Sequence, residues 1–155
     1  MALDIPLPRQ ILTHAHWTLG RQKMSKSLGN VVNPFFALER FGVDAVRYYL
    51  AHDGGIQDDA DYDNSYIIDK YERGLKGGLG NLTSRVMRGK DWNVREAVRL
   101  GTSQPGHHSH EVTERHQQLL QALPGLVDCE MKLLNPGAAL KRIMNTVHKV
   151  RVLIY

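Results

Sequence analysis

Residues 22–34 read QKMSKSLGNVVNP. Two lysines three apart, two small hydroxyls and one apolar residue have neither the period of a surface helix nor the alternation of a strand. Gly29, Asn30 and Pro34 then punctuate the run, so it reads as a basic, mobile loop. It also divides the chain. Residues 4–9 (DIPLPR) are an extended lead-in with two prolines. Ile11 to Leu19 (ILTHAHWTL) is β-prone and aromatic and predicts a strand, ended by Gly20 and followed by a short return strand into Lys23.

After the loop the pattern turns helical. Asn33 is a helix cap with Pro34 at the first helical position, and the helix stops at Gly42. A second short helix starts near Asp44 and closes before Gly54 and Gly55. Residues 57–63 (QDDADYD) read as an acidic loop whose Asp63 caps a long helix over 64–88. Its apolar stripe is Ile68, Tyr71, Leu75, Leu79, Leu82 and Val86. Gly74, Gly77, Gly78 and Gly80 interrupt it. Each glycine costs about 1 kcal/mol against alanine, so tertiary packing must hold this helix, or it kinks there.

Residues 89–110 read as a polar loop. Val112, His116, Leu119, Leu120 and Leu123 restore a helical face, Pro124 and Gly125 break or kink it, and Leu126 to Leu134 resumes it. Asn135 and Pro136 open a last helix with Leu140, Ile143, Met144, Val147 and Ile154 on one face. The fold class is therefore mainly α with a short N-terminal β piece. The first strand has nothing before it to pair with, and the chain stops at VLIY in mid-pattern. Both ends are expected to continue in a longer protein. There is no internal repeat.

The 155 residues suit one domain or two small pieces. A net charge of +4 and a pI near 9.3 suit nucleic acid or a phosphorylated ligand as partner. Cys129 is the single cysteine. It excludes an internal disulfide and a Cys-rich zinc site, fits a reducing compartment, and its apolar neighbours predict a small core residue. No apolar run approaches the roughly 20 residues that span a bilayer, so no membrane partner is expected. MALDIPLPRQ carries no signal-peptide or transit-peptide pattern.

Lysines beside small residues can close over phosphates. Lys23 and Lys26 would neutralise charge developing on a leaving pyrophosphate, with Ser25 and Ser27 donating to the same oxygens and Gly29 supplying the sharp turn. Asp44 and Arg47 are catalytic by type but read as a helix cap and a packing ion pair, and Tyr48 and Tyr49 as core. The histidines of HHSHEVTERH (107–116) lack a tight ligand pair with a third group, so no metal site is assigned.

KMSKSLGN resembles the second signature of the class I aminoacyl-tRNA synthetases, which activate an amino acid with ATP and transfer it to tRNA. The flanks resemble the methionyl-tRNA synthetases: PLPRQILTHAHWTLGRQ before the loop, FGVDAVRYYL in a stem-contact helix, DADYD before the anticodon domain, and LGNLTSR in that domain's first helix. Five blocks stand in the family's order over residues 6–88.

The resemblance implies that residues 1–33 are the end, at its rim, of a Rossmann catalytic domain with the signature loop. It makes 34–63 stem-contact helices and 64–155 an incomplete anticodon-binding helix bundle. It puts Lys23, Ser25, Lys26 and Ser27 on ATP, with Lys23 and Lys26 catalytic, and His14 near the adenylate. It puts Asn81 and Arg85 on the anticodon's first base. Those two share a helix face at i, i+4, continued by Arg88, and an Asn–Arg pair can read the edge of a splayed base. The implied substrates are methionine, ATP with Mg2+, and tRNA(Met). The absence of zinc-knuckle cysteines and the HAHW spelling lean toward a mitochondrial type, with a cytoplasmic one as the alternative. The first signature, close to His-Ile-Gly-His, does not occur here, so the chain alone is expected to be inactive. Two other readings are a stand-alone tRNA-binding module and part of a leucine, isoleucine or valine enzyme, which LGNLTSR disfavours.

Overall fold

The computed structural model describes residues 6–56, 58–89, 93–103 and 110–153. Two short strands, two helices and a third short strand precede the remaining helices. Strand β1 is Trp17–Leu19, β2 is Gln22–Lys23 and β3 is Ala60–Asp61, in the order β2-β1-β3. β1 pairs antiparallel with β2, Thr18 opposite Lys23, and parallel with β3, Trp17 opposite Ala60. Helices α1 (Pro34–Phe41) and α2 (Val43–Asp53) make the crossover between the parallel strands.

The first strand is shorter than the Ile11–Leu19 run suggested. Its partners are two residues long, so only three residues have a ladder to join. The Ala15 N–H donates to the Ile56 carbonyl at 2.9 Å, and the residues from Ile11 to His16 are otherwise irregular. Strand β3 lies inside the stretch read as an acidic loop. Its two residues offer too little alternation to be read as a strand, and pairing with β1 makes it one.

Asn33 caps α1, its Oδ1 accepting the Phe35 N–H at 2.9 Å, and Gly42 ends it at φ 80°, a left-handed conformation that favours glycine. α2 brings Tyr49 to the centre, where Tyr49 and Ile67 are fully buried beside Ala45, with Trp17, Phe41 and Tyr62 packed round them. The Trp17 and Tyr62 rings lie 5.4 and 6.0 Å from that of Tyr49. The Tyr49 hydroxyl donates to the Asp61 carbonyl at 2.8 Å and accepts the Asp63 N–H at 3.3 Å. Burial, above all, pushes its pKa up to about 12, so it stays a donor at neutral pH. The expectation for Asp44 and Arg47 is corrected. Both are exposed in α2, no side chain caps that helix, and no ion pair joins the two residues. Each reaches water more cheaply than a partner.

Asp63 caps the long helix as expected, accepting the Ser65 N–H. The helix does not stay α throughout. It runs as α3 (Asn64–Lys70), a π segment (Tyr71–Gly80) and α4 (Asn81–Arg88). The wider turns rephase its faces. Ile67 is buried while Ile68, Tyr71 and Leu79, three members of the expected stripe, are exposed. Glycines now fill the inner side. A Cβ on Gly74 would stand 2.6 Å from the Tyr48 hydroxyl, and one on Gly78 2.9 Å from the Met144 methyl.

Residues 94–103 form α5 (Val94–Ser103) within the stretch expected to be a loop. Asn93 accepts the Arg95 N–H at 2.9 Å, and Arg99 pairs with Glu96 one turn away. Local caps and pairs help make this helix; Val94, Ala97 and Val98 share one face at helical spacing, though the helix is exposed along nearly all its length.

α6 (His110–Lys132) runs through Pro124 without ending, so of the two expected outcomes, a break or a kink, the break does not occur. Proline deletes one hydrogen bond there, and the turns on either side continue the helix. α6 and α7 (Pro136–Leu153) form a helical hairpin, joined by the Arg142–Glu130 pair at 3.1 Å and started by Asn135, which accepts the Ala138 N–H at 3.1 Å. α7 packs on α2 and on the π segment, where Arg151 donates to the Gly77 carbonyl at 2.8 Å. Ile154 and the histidines at 107 and 108 lie outside the described residues. Cys129 is exposed, not core: it sits on the outer side of α6, with Val127 and Glu130 turned further inward. No helix among the described residues is long and apolar enough to cross a membrane.

Candidate functional site

The loop begins at a tight hairpin. Gly20 and Arg21 both have positive φ, 59° and 61°, which is the mirrored turn that matches strand twist. For Arg21 this conformation is costly, and Asp61 holds it. Asp61 Oδ1 accepts the Arg21 N–H at 2.9 Å and the Thr18 hydroxyl at 2.7 Å. The Thr18 bond first, then the Arg21 N–H, hold the Asp61 carboxyl below its ordinary pKa.

Past Lys23 the chain closes a small ring. Asn30 Oδ1 accepts the Ser25 N–H at 2.8 Å, and its Nδ2 donates to the Lys23 carbonyl at 3.2 Å. Within the ring, Ser25 Oγ accepts the Leu28 N–H at 3.2 Å and lies 3.2 Å from Ser27 Oγ. The Gly29 N–H donates to the Lys26 carbonyl at 3.3 Å, with Gly29 at φ 67°. The polar groups of the loop are thus directed at one another. The Lys23 and Lys26 side chains are exposed and make no ion pair among the described residues. Two uncompensated cations on a closed turn suit an anion with several oxygens.

The structure gathers Lys23, Ser25, Lys26 and Ser27 on one turn, but the Ser25 hydroxyl serves the loop itself. His14 is exposed before β1, its Nδ1 2.7 Å from the Ala15 carbonyl and its ring 6.1 Å from that of His16. No hydrogen bond joins it to the loop. Asn30 and Asp61 were missed by sequence reasoning. Each is a short polar side chain in a turn-rich stretch, and that was the available signal.

Asn81 and Arg85 open α4, roughly 20 Å along the helix from Ile67. Arg85 Nε donates to Asn81 Oδ1 at 2.9 Å, and both are half-buried. The bond fixes the plane of the guanidinium before any ligand arrives. Arg88 is exposed one turn on. Among the described residues no group of three His, Cys, Asp or Glu could hold a metal ion.

The sequence profile of the family described as tRNA synthetases class I (M) matches residues 1–87. The chain is 44% identical over 160 residues to a probable mitochondrial methionine–tRNA ligase of Neurospora crassa, covering 99% of this chain and 26% of that protein. It is 35% identical to the methionine–tRNA ligase of Clostridium acetobutylicum over 96% of this chain and 22% of that one. The Mycobacterium tuberculosis methionyl-tRNA synthetase bound by methionyl-adenylate superposes with a TM-score of 0.68 at 26% identity, over 96% of this chain and 28% of that one. A leucyl enzyme in a ternary complex with tRNA, from Agrobacterium radiobacter, shares the fold with the same TM-score at 22% identity. The chain thus spans about a quarter of the length of these relatives. With more than half of its residues matched by the profile, the chain belongs to the class I (M) tRNA synthetases.

Proposed function

We propose that this chain works within a methionine–tRNA ligase, supplying the loop that meets the phosphates of ATP and the helical face that reads the tRNA anticodon. The observation that carries the reading is the closed loop with Lys23 and Lys26 unpaired at its surface, in a chain aligned over 99% of its length with a relative named a methionine–tRNA ligase. Residues 1–33 would be the end of the catalytic domain, 34–63 the stem-contact helices and 64–155 the anticodon-binding part. The relatives from Neurospora crassa and Schizosaccharomyces pombe are named mitochondrial, which favours the mitochondrial matrix.

In the activation step the methionine carboxylate attacks the α-phosphorus, the bond to the bridging oxygen breaks, and pyrophosphate leaves with added negative charge. Lys23 and Lys26 would meet that charge where it forms. Mg2+ would arrive on the triphosphate as part of the substrate. The charged side chains exposed on the loop are cations, which suit phosphate oxygens and not a metal. Asn81 and Arg85, already bonded to each other, would present a fixed donor–acceptor edge to an unstacked base.

The test is a kinetic separation in the complete enzyme. Lys26→Ala should slow adenylate formation by about 100- to 1000-fold while leaving methionine affinity nearly unchanged. Arg85→Ala should leave that step intact and weaken charging of tRNA, more for the matched first anticodon base than for an altered one, by about 1–3 kcal/mol. A change below threefold with Lys26→Ala would remove the loop from the chemistry. Equal losses on both tRNAs would reduce Arg85 to backbone positioning.

A further inference from the structure

The loop's charge lies on Lys23 and Lys26, yet the side chain that closes the loop is Asn30. Its amide uses both faces, accepting from the Ser25 N–H at 2.8 Å and donating to the Lys23 carbonyl at 3.2 Å. It stands where a neighbouring strand would stand, and so carries the pairing of β2 past Lys23, the last residue of that strand. Residues 24–29 become a ring tied at its neck. Inside it lie the Ser25–Leu28, Ser25–Ser27 and Lys26–Gly29 bonds.

We infer that Asn30 is a positioning residue for Lys23 and Lys26: its side-chain amide holds the two ends of the loop together, so that both ammonium groups are presented to phosphate as one preformed clip. The inference rests on the reading of the loop as a phosphate site and adds what makes the site ready. Without the clip, each binding event must first gather a flexible run carrying two long side chains, and that ordering is charged against affinity. Asparagine is specific to the task. Aspartate keeps the acceptor for Ser25, loses the donor to Lys23 and adds a negative charge beside two lysines.

Trypsin reads this directly in the full chain, because it cuts at Lys23–Met24 and Lys26–Ser27 only when the ring opens far enough to enter its cleft. Cleavage then follows the open population. Asn30→Ala should speed both cuts by about tenfold, the loss of two hydrogen bonds of ordinary net strength, and Asn30→Asp by less. The Lys132–Leu133 bond at the end of α6 is the internal reference and should change less than twofold. Inorganic pyrophosphate should protect both loop bonds of the parent chain, and its half-protecting concentration should rise about tenfold in Asn30→Ala, a shift that a merely structural asparagine would not produce. Loop cleavage within twofold of the parent, an equal rise at Lys132–Leu133, or an unchanged half-protecting concentration would each overturn the inference. If pyrophosphate protects nothing while Asn30→Ala still opens the ring, the phosphate reading of the loop fails and the clamp itself stands.

Discussion

Tyr49→Phe removes one oxygen from the centre of the molecule and nothing else. The ring keeps its place between Trp17 and Tyr62, at 5.4 and 6.0 Å, so the apolar contribution is preserved. What is lost is the bridge from the hydroxyl to the Asp61 carbonyl at 2.8 Å and to the Asp63 N–H at 3.3 Å. Tyr49 is fully buried, so water does not replace the missing partner without a rearrangement. Leaving a buried backbone group unsatisfied costs about 1–3 kcal/mol. With the first bond short and the second long, the expected loss is about 2 kcal/mol. For a chain of this size that lowers the melting midpoint by roughly 4–8 °C. Tyr62→Phe is the matched comparison, since that hydroxyl bonds to Asn64 at 3.1 Å in an exposed setting and should cost less than about 0.5 kcal/mol. Urea unfolding and thermal melts of the parent and both variants give the numbers. Equal effects from the two variants, or a loss below about 0.5 kcal/mol at Tyr49, would refute the assignment of that hydroxyl as the tie between α2 and β3.

Stability should be nearly level from neutral pH down to about pH 5 and fall as the pH drops through the depressed pKa values of Asp61 and Asp63, below their ordinary value of 3.8. The sign follows from the carboxylates being favoured in the folded chain: their contribution is complete above 3.8 and disappears as the folded groups take up protons. Thr18→Val should therefore lower the melting midpoint at pH 6 by more than at pH 2.5, and a difference that does not vary with pH would break the Thr18–Asp61 link. Gly74→Ala should destabilise by about 1 kcal/mol, overpacking against Tyr48 outweighing the gain in helix propensity; Tyr48→Leu in the same chain should recover most of it, and no recovery would mean that the glycine serves the backbone alone. The isolated chain should give no ATP–pyrophosphate exchange, because the loop meets only one side of the phosphates; exchange above background would contradict the division of labour proposed.

Helix starts were legible where a cap sits next to its helix. Asn33, Asp63 and Asn135 each bond the N–H that their position implied. Gly42 was legible as a stop because the chain needs positive φ there. The rest depended on partners far away in sequence. β3 is two acidic-loop residues until β1 lies beside it, 43 residues earlier. The π segment could not be read from glycine spacing, since what packs against its glycines, Tyr48 and Met144, comes from other helices. The apolar stripe was drawn from Ile68 with an α-helical period, whereas Ile67 faces the core and Ile68 is exposed. α5 was lost although Val94, Ala97 and Val98 mark a helical face, because the polar, glycine- and proline-bearing GTSQPG that follows made the whole stretch read as a loop. At the site, the charge-bearing residues stood out by type, while Asn30 and Asp61 did not, because a clamp is recognised by what it bonds.

The two candidate groups hang from one core in different ways, and the difference suits what each would do. The hairpin and loop are held by single polar atoms, Asp61 Oδ1 on one side and the Asn30 amide on the other, mostly at exposed or half-exposed positions. Such bonds are individually modest, so the segment lies at the low end of local opening free energies. Within that segment the Asn30 ring ties the loop ends together, so the proposed clip with its two lysines can move as one unit. The helix with Asn81 and Arg85 is fixed by Ile67 in the core and by glycines packed against Tyr48 and Met144. The Arg151 bond to the Gly77 carbonyl adds a polar tie from α7 to the same segment. Reading a base edge requires donors and acceptors held to a fraction of an ångström, which packing on rigid helices supplies and a loop does not. Tyr49 belongs to both halves: its ring packs in the helical core and its hydroxyl holds β3, whose Asp61 carboxylate in turn holds the hairpin. Tyr49 is thus one tie between the hairpin and the helical core, beside the Trp17 ring and the β1–β3 pairing, and Tyr49→Phe should loosen the hairpin before it disturbs α4.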